Sequence, residues 1–249
     1  MKKIVICLIG LSIIFCSSQY SKALAKKSKA PSTKHKIEFT TKDKFILVGD
    51  LYIANPSTNK PLVVMLHSFG VNSKAWKDIA EALRLKGYNC LVMDLRGHGR
   101  SVYNEQLKLK SRYKFTSTDW QKLPNDVIES INYIKSNYSK INTSRLIFVG
   151  ADIGASAGIL AGQNLKIKPE KFVLVSPMLN FKGLYIPVVI ANYTNTKFLV
   201  LLAKTDKILF NFHSKPAPII KVYPQGGPGN QLLRVNPQST AEIVNFIAN

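Results

Sequence analysis

The stretch Leu146-Ile147-Phe148-Val149-Gly150-Ala151-Asp152-Ile153-Gly154, continued by the small residues from Ala155 to Gly162, decides the fold. Four large apolar residues in a row describe a strand buried on both faces, as in the middle of a parallel sheet covered by helices. The run enters a turn of small residues and re-emerges as a helix of alanine, glycine and serine. A turn passing this sharply from strand to helix has no room for side chains on the flanks of its central residue, because a Cβ there collides with the neighbouring strand or with the helix. Both flanks are glycine, Gly150 and Gly154, and the residue displayed between them is Asp152.

Working outward, the same alternation recurs. On the N-terminal side, Leu62 to Leu66 is an unbroken apolar run, followed by a helical stripe of Trp76, Ile79, Ala80 and Leu83 that Gly87 ends, and then by a strand from Cys90 to Met93. Ahead of these, Ile37 to Thr41 and Phe45 to Ala54 are β-rich runs separated by Lys42-Asp43-Lys44, which predicts an antiparallel hairpin, and Asn55 to Lys60 is a polar loop. Tyr103 to Lys122 is rich in charge and hydroxyls and reads as a surface excursion with little core. Pro124 suits a first helical position, and Val127, Ile128, Ile131 and Ile134 form the stripe of a helix running towards Asn137. Beyond the central stretch come strands at Phe172 to Val175, Phe198 to Ala203 and Ile219 to Tyr223, and a closing helix from about Thr240. The pattern predicts an α/β domain over residues 37–249: a mostly parallel sheet with helices on both faces and an N-terminal antiparallel hairpin.

The chain start predicts export. Met1-Lys2-Lys3 is a basic n-region, Ile4 to Cys16 an uncharged and mostly apolar h-region, and Ala23-Leu24-Ala25 a cleavage site, so residues 1–25 read as a signal peptide and the product as periplasmic or secreted. Cleavage removes Cys7 and Cys16. Cys90, the remaining cysteine, opens a buried strand and reads as a small core hydrophobe. The formal charge is +21, of which cleavage takes only Lys2, Lys3 and Lys22. So basic a balance favours anionic surfaces such as lipid headgroups, envelope polymers or nucleic acid, or else serves as a solubility charge spread over all faces. The local concentration is at 26–36, where Lys26, Lys27, Lys29, Lys34 and Lys36 stand among Ser, Ala and Pro, which reads as a flexible basic arm. No basic motif of a nucleic-acid fold occurs.

Four separated stretches together resemble the α/β-hydrolase fold: Gly49-Asp50-Leu51-Tyr52 ending the hairpin, Leu66-His67-Ser68-Phe69-Gly70, the turn from Asp94 to Ser101, and the G-x-D-x-G elbow. Ser176-Pro177 and Lys221-Val222-Tyr223-Pro224 strengthen the likeness to small lidless esterases and dienelactone-hydrolase-like members. The resemblance implies no cap domain, since Pro177 to Lys197 is too short for one, and no cofactor or metal. It implies a nucleophile at the elbow, an acid after a late strand, a histidine after the last strand and two backbone N–H donors for an oxyanion.

On that pattern Asp152 stands at the nucleophile position, Asp206 at the acid position, and Phe69 and Ile153 supply the N–H donors. The histidine is missing: Gly226-Gly227-Pro228-Gly229 carries Pro228 in its place, and proline cannot take a proton. Of the four histidines, His35 lies in the arm, His67 and His98 in structural turns, and His213 ahead of the last strand. Relatives that attack with an aspartate still need the histidine to hydrolyse the resulting ester. Without it, a carboxylate at a helix start is expected to accept backbone N–H groups, filling its own oxyanion site. Gly154-Ala155-Ser156-Ala157-Gly158 also fits G-x-S-x-G, but Ser156 lies one helical turn beyond the strand end, on the Asp152 face of the helix, and is expected to line the same pocket.

Three functions follow as expectations. The first is an exported α/β-hydrolase-fold protein with a degenerate triad that binds a small-molecule ligand or a partner. The second is an active hydrolase using Asp152 with an unrecognised base such as His213. The third is an envelope-associated protein acting through its basic surface.

Overall fold

The computed structural model describes residues 33–54, 58–206 and 214–249. The expected signal peptide, the arm up to Ser32, part of the Asn55 to Lys60 loop, and His213 lie outside the described residues. In chain order the elements are β1 (Lys34–Thr40), β2 (Phe45–Tyr52), β3 (Leu62–Leu66), α1 (Lys77–Leu85), β4 (Cys90–Met93), β5 (Tyr103–Asn104), α2 (Ser117–Trp120), α3 (Leu123–Asn137), β6 (Leu146–Ala151) and α4 (Ile153–Asn164). There follow β7 (Lys171–Val175), β8 (Asn180–Phe181), β9 (Leu184–Tyr185), α5 (Pro187–Ile190), β10 (Lys197–Ala203), β11 (Ile219–Tyr223), α6 (Asn230–Val235) and α7 (Gln238–Ala248).

The sheet runs β1-β2-β4-β3-β6-β7-β10-β11, with β5 added to β2. From β4 to β11 neighbouring strands are parallel, whereas β2 pairs antiparallel with both β1 and β4. Strands β3, β4 and β6 are buried along their whole length, as their unbroken apolar runs require. One face of the sheet packs against α3, α4 and α5 through residues such as Val127, Ile131, Ile159 and Ile190. The other packs against α1, α6 and α7 through Trp76, Leu83, Leu232 and Ile243. Between β7 and β10 the chain forms only the β8–β9 ribbon and the single turn of α5, so no cap domain stands over the sheet.

Two expectations need correction. Strand β1 begins at Lys34, three residues before Ile37, because Lys34 and Lys36 pair in register with Tyr52 and Asp50. Lys34 also meets the Asp50 carboxylate at 3.1 Å, so these lysines belong to the hairpin rather than to the arm. The excursion from Tyr103 to Lys122 holds core after all. Trp120 is 3% exposed and packs edge-on against Phe115, at 5.1 Å between ring centroids, and against Phe181, also at 5.1 Å. A lone tryptophan in a polar stretch carries no periodicity to reveal this. Cys90 is buried, and burial pushes its thiol well above the usual range, as suits a core residue.

Candidate active site

Asp152 follows β6 directly with φ 54° and ψ −119°, a left-handed conformation that a residue other than glycine holds only when its surroundings enforce it. The surroundings do so on both flanks. A Cβ at Gly150 would lie 2.6 Å from the Ala155 nitrogen, and one at Gly154 would lie 2.6 Å from the His67 carbonyl oxygen. The Asp152 N–H donates to the Val175 carbonyl at 3.0 Å, and its own carbonyl accepts from Ala155 at 3.1 Å. The backbone is therefore tied on one side to β7 and on the other to the first turn of α4.

The side chain turns back towards the β3 loop. The Phe69 N–H donates to Asp152 Oδ2 at 3.0 Å, and the neighbouring Ile153 N–H favours the ionised carboxylate. Asp152 is 6% exposed. Burial raises its pKa above the usual carboxylate range, and the two N–H groups offset only part of that rise. The Phe69 N–H, one of the two donors expected, is thus engaged by the protein's own carboxylate.

The loop after β11 reaches the same point. Gly229 is buried with φ +56°, and a Cβ on it would fall 2.9 Å from Asp152 Cβ and 2.7 Å from Ser68 Cβ. The residue in contact with Asp152 is therefore Gly229, while Pro228, the position the sequence marked, is exposed one residue earlier. Asn230 locks this loop to the β3 turn. Its Oδ1 accepts from the Ser68 N–H at 2.9 Å and from the Ser68 hydroxyl at 2.9 Å, and its N–H donates to Ser68 Oγ at 2.7 Å. The orientation of the Asn230 amide is fixed by the Ser68 N–H, which only an oxygen can accept. Its Nδ2 is then buried without a hydrogen-bond partner among the described residues.

Other expected participants are engaged elsewhere. Asp206 Oδ2 accepts the Ala203 N–H at 2.8 Å, and the Asp206 N–H donates to the Ala203 carbonyl at 2.8 Å, which closes the turn at the end of β10. His67 bonds Ser68 O through Nδ1 at 2.7 Å and accepts the Leu95 N–H through Nε2 at 3.0 Å. Full burial lowers its pKa to about 4, against the bond to the Ser68 carbonyl, which raises it, and keeps the ring neutral. His98 is lowered by burial to about 3, with its ring against His67, Phe69 and Trp120. Ser156 does not line the pocket: it is fully buried and its hydroxyl donates to the Met178 carbonyl. Among the described residues no group of three or more His, Cys, Asp or Glu could hold a metal ion.

Sequence reasoning missed Ser68, Gly229 and Asn230 as a unit. Their link joins turns 162 residues apart, and no local pattern carries that. It also missed Ser176, which follows β7 at φ +42° with its hydroxyl buried and unpartnered. A cleft of about 490 Å³ borders the site at Asn230 and is lined by Val71, Ile79, Leu233 and Arg234, but not by Asp152.

A family model described as serine aminopeptidase, S33, matches residues 57–225. No curated protein sequence matches significantly. Among solved structures, an esterase from Pyrococcus furiosus superposes with a TM-score of 0.67 at 18% identity, covering 87% of this chain and 90% of that one. A hydrolase from Pseudomonas aeruginosa gives 0.64 at 16% identity, covering 86% and 99%. An esterase from Exiguobacterium antarcticum gives 0.63 at 12% identity, covering 86% and 100%. At such identities the likeness is one of fold, and the fold is that of the α/β hydrolases.

Proposed function

We propose that this chain, which belongs to the serine aminopeptidase S33 family, is an exported, non-catalytic member that uses its hydrolase fold to bind a small ligand. The observation that carries this reading is the hydrogen bond from the Phe69 N–H to Asp152 Oδ2 at 3.0 Å. In a working member of this fold, the oxyanion of the substrate takes the N–H groups next to the nucleophile. Here a carboxylate of the protein takes the Phe69 N–H, so a substrate carbonyl would have to displace a buried, hydrogen-bonded group. The bare Gly229 beside Asp152 and the closed Asp206 turn support the same reading, because a base and its orienting acid are both wanting there.

The ligand space that remains is the cleft at Asn230. Val71, Ile79 and Leu233 offer apolar contact, and Gln231, Arg234 and Thr240 offer polar groups. A carbonyl-bearing molecule with an apolar body fits that lining. Export rests on the order of n-region, h-region and Ala23-Leu24-Ala25, and a mature N-terminus at Lys26 is the expected readout by mass spectrometry.

Oxygen-18 water tests the central point. If Asp152 opened an epoxide by attacking a ring carbon, hydrolysis of the resulting alkyl ester at the Asp152 carboxyl carbon would release the diol and place solvent oxygen in its carboxylate. After incubation with simple epoxides, the peptide containing Asp152 is expected to stay unlabelled. Incorporation there would overturn the reading.

A further inference from the structure

The hairpin and loop from Tyr103 to Lys114 break the rule that large apolar residues are spent on a core. Leu107 is 73% exposed, Leu109 64% and Tyr113 78%, all within seven residues of one another, and Tyr103 is exposed beside them. Slack chain does not explain this. Leu107 donates its N–H to the Asn104 carbonyl at 2.8 Å, Lys108 to Asn104 Oδ1 at 2.9 Å, and Lys110 to the Val102 carbonyl at 2.7 Å. The base is pinned to β2 through β5, and Phe115 anchors the far end against Phe45 and Trp120. Tyr103 and Leu109 form a bridge across the hairpin, so their side chains share a face.

Leu107 holds φ +57° at the tip. Glycine or asparagine serves a left-handed turn position at less strain, and a leucine there gains no burial in return. The choice is unfavourable for folding and needs another occupant to explain it. The residues between supply the second observation. Lys108, Lys110, Arg112 and Lys114 interleave with Leu109, Ser111 and Tyr113, and among the described residues none of these four cations forms an ion pair. The hairpin's acid, Glu105, is already paired with Lys44 at 3.0 Å. What remains is a surface that presents leucine and tyrosine within a rim of lysine charge from Lys108, Lys110 and Lys114, with Arg112 stacked on the Tyr113 ring at 4.4 Å.

We propose that this hairpin docks the protein on an anionic phospholipid membrane, with Leu107, Leu109 and Tyr113 entering the headgroup boundary and Lys108, Lys110, Arg112 and Lys114 meeting the phosphates. A bilayer surface satisfies both halves of the patch at once, whereas a soluble polyanion uses only the charge and an apolar protein groove only the leucines. The surface borders the candidate site, since the Arg112 guanidinium lies over the Phe69 ring at 5.5 Å. It does not depend on whether Asp152 is catalytic.

The test uses the full exported chain and sedimentation with vesicles of phosphatidylcholine, alone or mixed with phosphatidylglycerol. Binding is expected only to the mixed vesicles and is expected to weaken as salt is raised. Replacing Lys108, Lys110 and Lys114 by glutamine should lower affinity at low salt by about a hundredfold, at about fivefold per lysine. Leu107→Ser with Leu109→Ser should lower it roughly tenfold or more while leaving the charge intact. Leu107→Gly separates docking from folding: it should weaken vesicle binding while the unfolding midpoint stays the same or rises. Vesicle binding that survives the leucine changes, or that is matched by heparin with the same dependence on the lysines alone, would make this a polyanion site and overturn the proposal. So would binding unchanged by every hairpin variant, which would move the attraction to the lysines of the arm.

Discussion

Two turns meet at Asp152, and they contrast. The turn after β3 keeps Ser68 and Phe69 so placed that the Phe69 N–H points at the carboxylate. The turn after β11 brings up Gly229, which offers Asp152 no side chain at all. The first turn contributes through its backbone and the second would have to contribute through a side chain. A backbone N–H is present in every residue except proline, so its geometry survives any sequence that keeps the turn. An imidazole exists in one residue type and vanishes with a single substitution. The contrast teaches why a hydrolase frame can persist in full while its chemistry is open to loss.

The largest effect should come from the glycine that keeps β6, α4 and the β3 turn together. Gly154→Ala pushes a methyl group into the backbone oxygens of Leu66 and His67 and is expected to cost about 3 kcal/mol, read as a lower urea midpoint at constant slope. Gly229→Ala sets its methyl group against the movable side chain of Ser68 and against Asp152 Cβ, at φ +56°, and should cost about 2 kcal/mol. If Gly229→Ala proved the more damaging, the loop after β11 would be the more tightly specified turn and the contrast would reverse.

A smaller effect reports on the carboxylate itself. Burial raises the Asp152 pKa in the folded protein, so between the unfolded value and the raised folded value the folded state binds the extra proton. Stability therefore falls as pH climbs through that window and levels off above it. Asp152→Asn keeps an acceptor for Phe69 and Ile153 but does not titrate. The variant is expected to be the more stable protein at neutral pH, with its advantage disappearing as pH drops below the ordinary carboxylate range. An advantage that grew on acidification would mean that the ionised form is favoured and that burial is not the dominant influence.

The parallel core was readable because each strand is a run of apolar residues closed by glycine or a polar turn, and because Gly150 and Gly154 bracket Asp152. The Phe69 N–H was readable for a related reason: it holds a fixed place in the turn after a strand end, next to the elbow. The partners of the β11 loop were not. Asn230 meets Ser68 only because the loop after β11, a strand three places beyond β6 in the sheet, reaches back to the turn after β3, and tertiary contact of that kind leaves no periodic trace. The expectation for Ser156 failed because helix position says which way a side chain leaves the axis but not that a carbonyl, here Met178, is waiting for its hydroxyl. Trp120 and the early start of β1 were hidden in polar sequence, where ring packing and cross-strand ion pairs replace the hydrophobic pattern.

Steady-state hydrolysis of p-nitrophenyl esters by the unaltered protein, run beside Asp152→Asn and His213→Ala, tests the central claim most directly. The account predicts no sustained turnover above background for any of the three, because the Phe69 N–H is occupied by Asp152 and Gly229 brings no base to it. Multiple turnovers by the unaltered protein that vanish in both variants would contradict it, and would make Asp152 a working nucleophile served by His213.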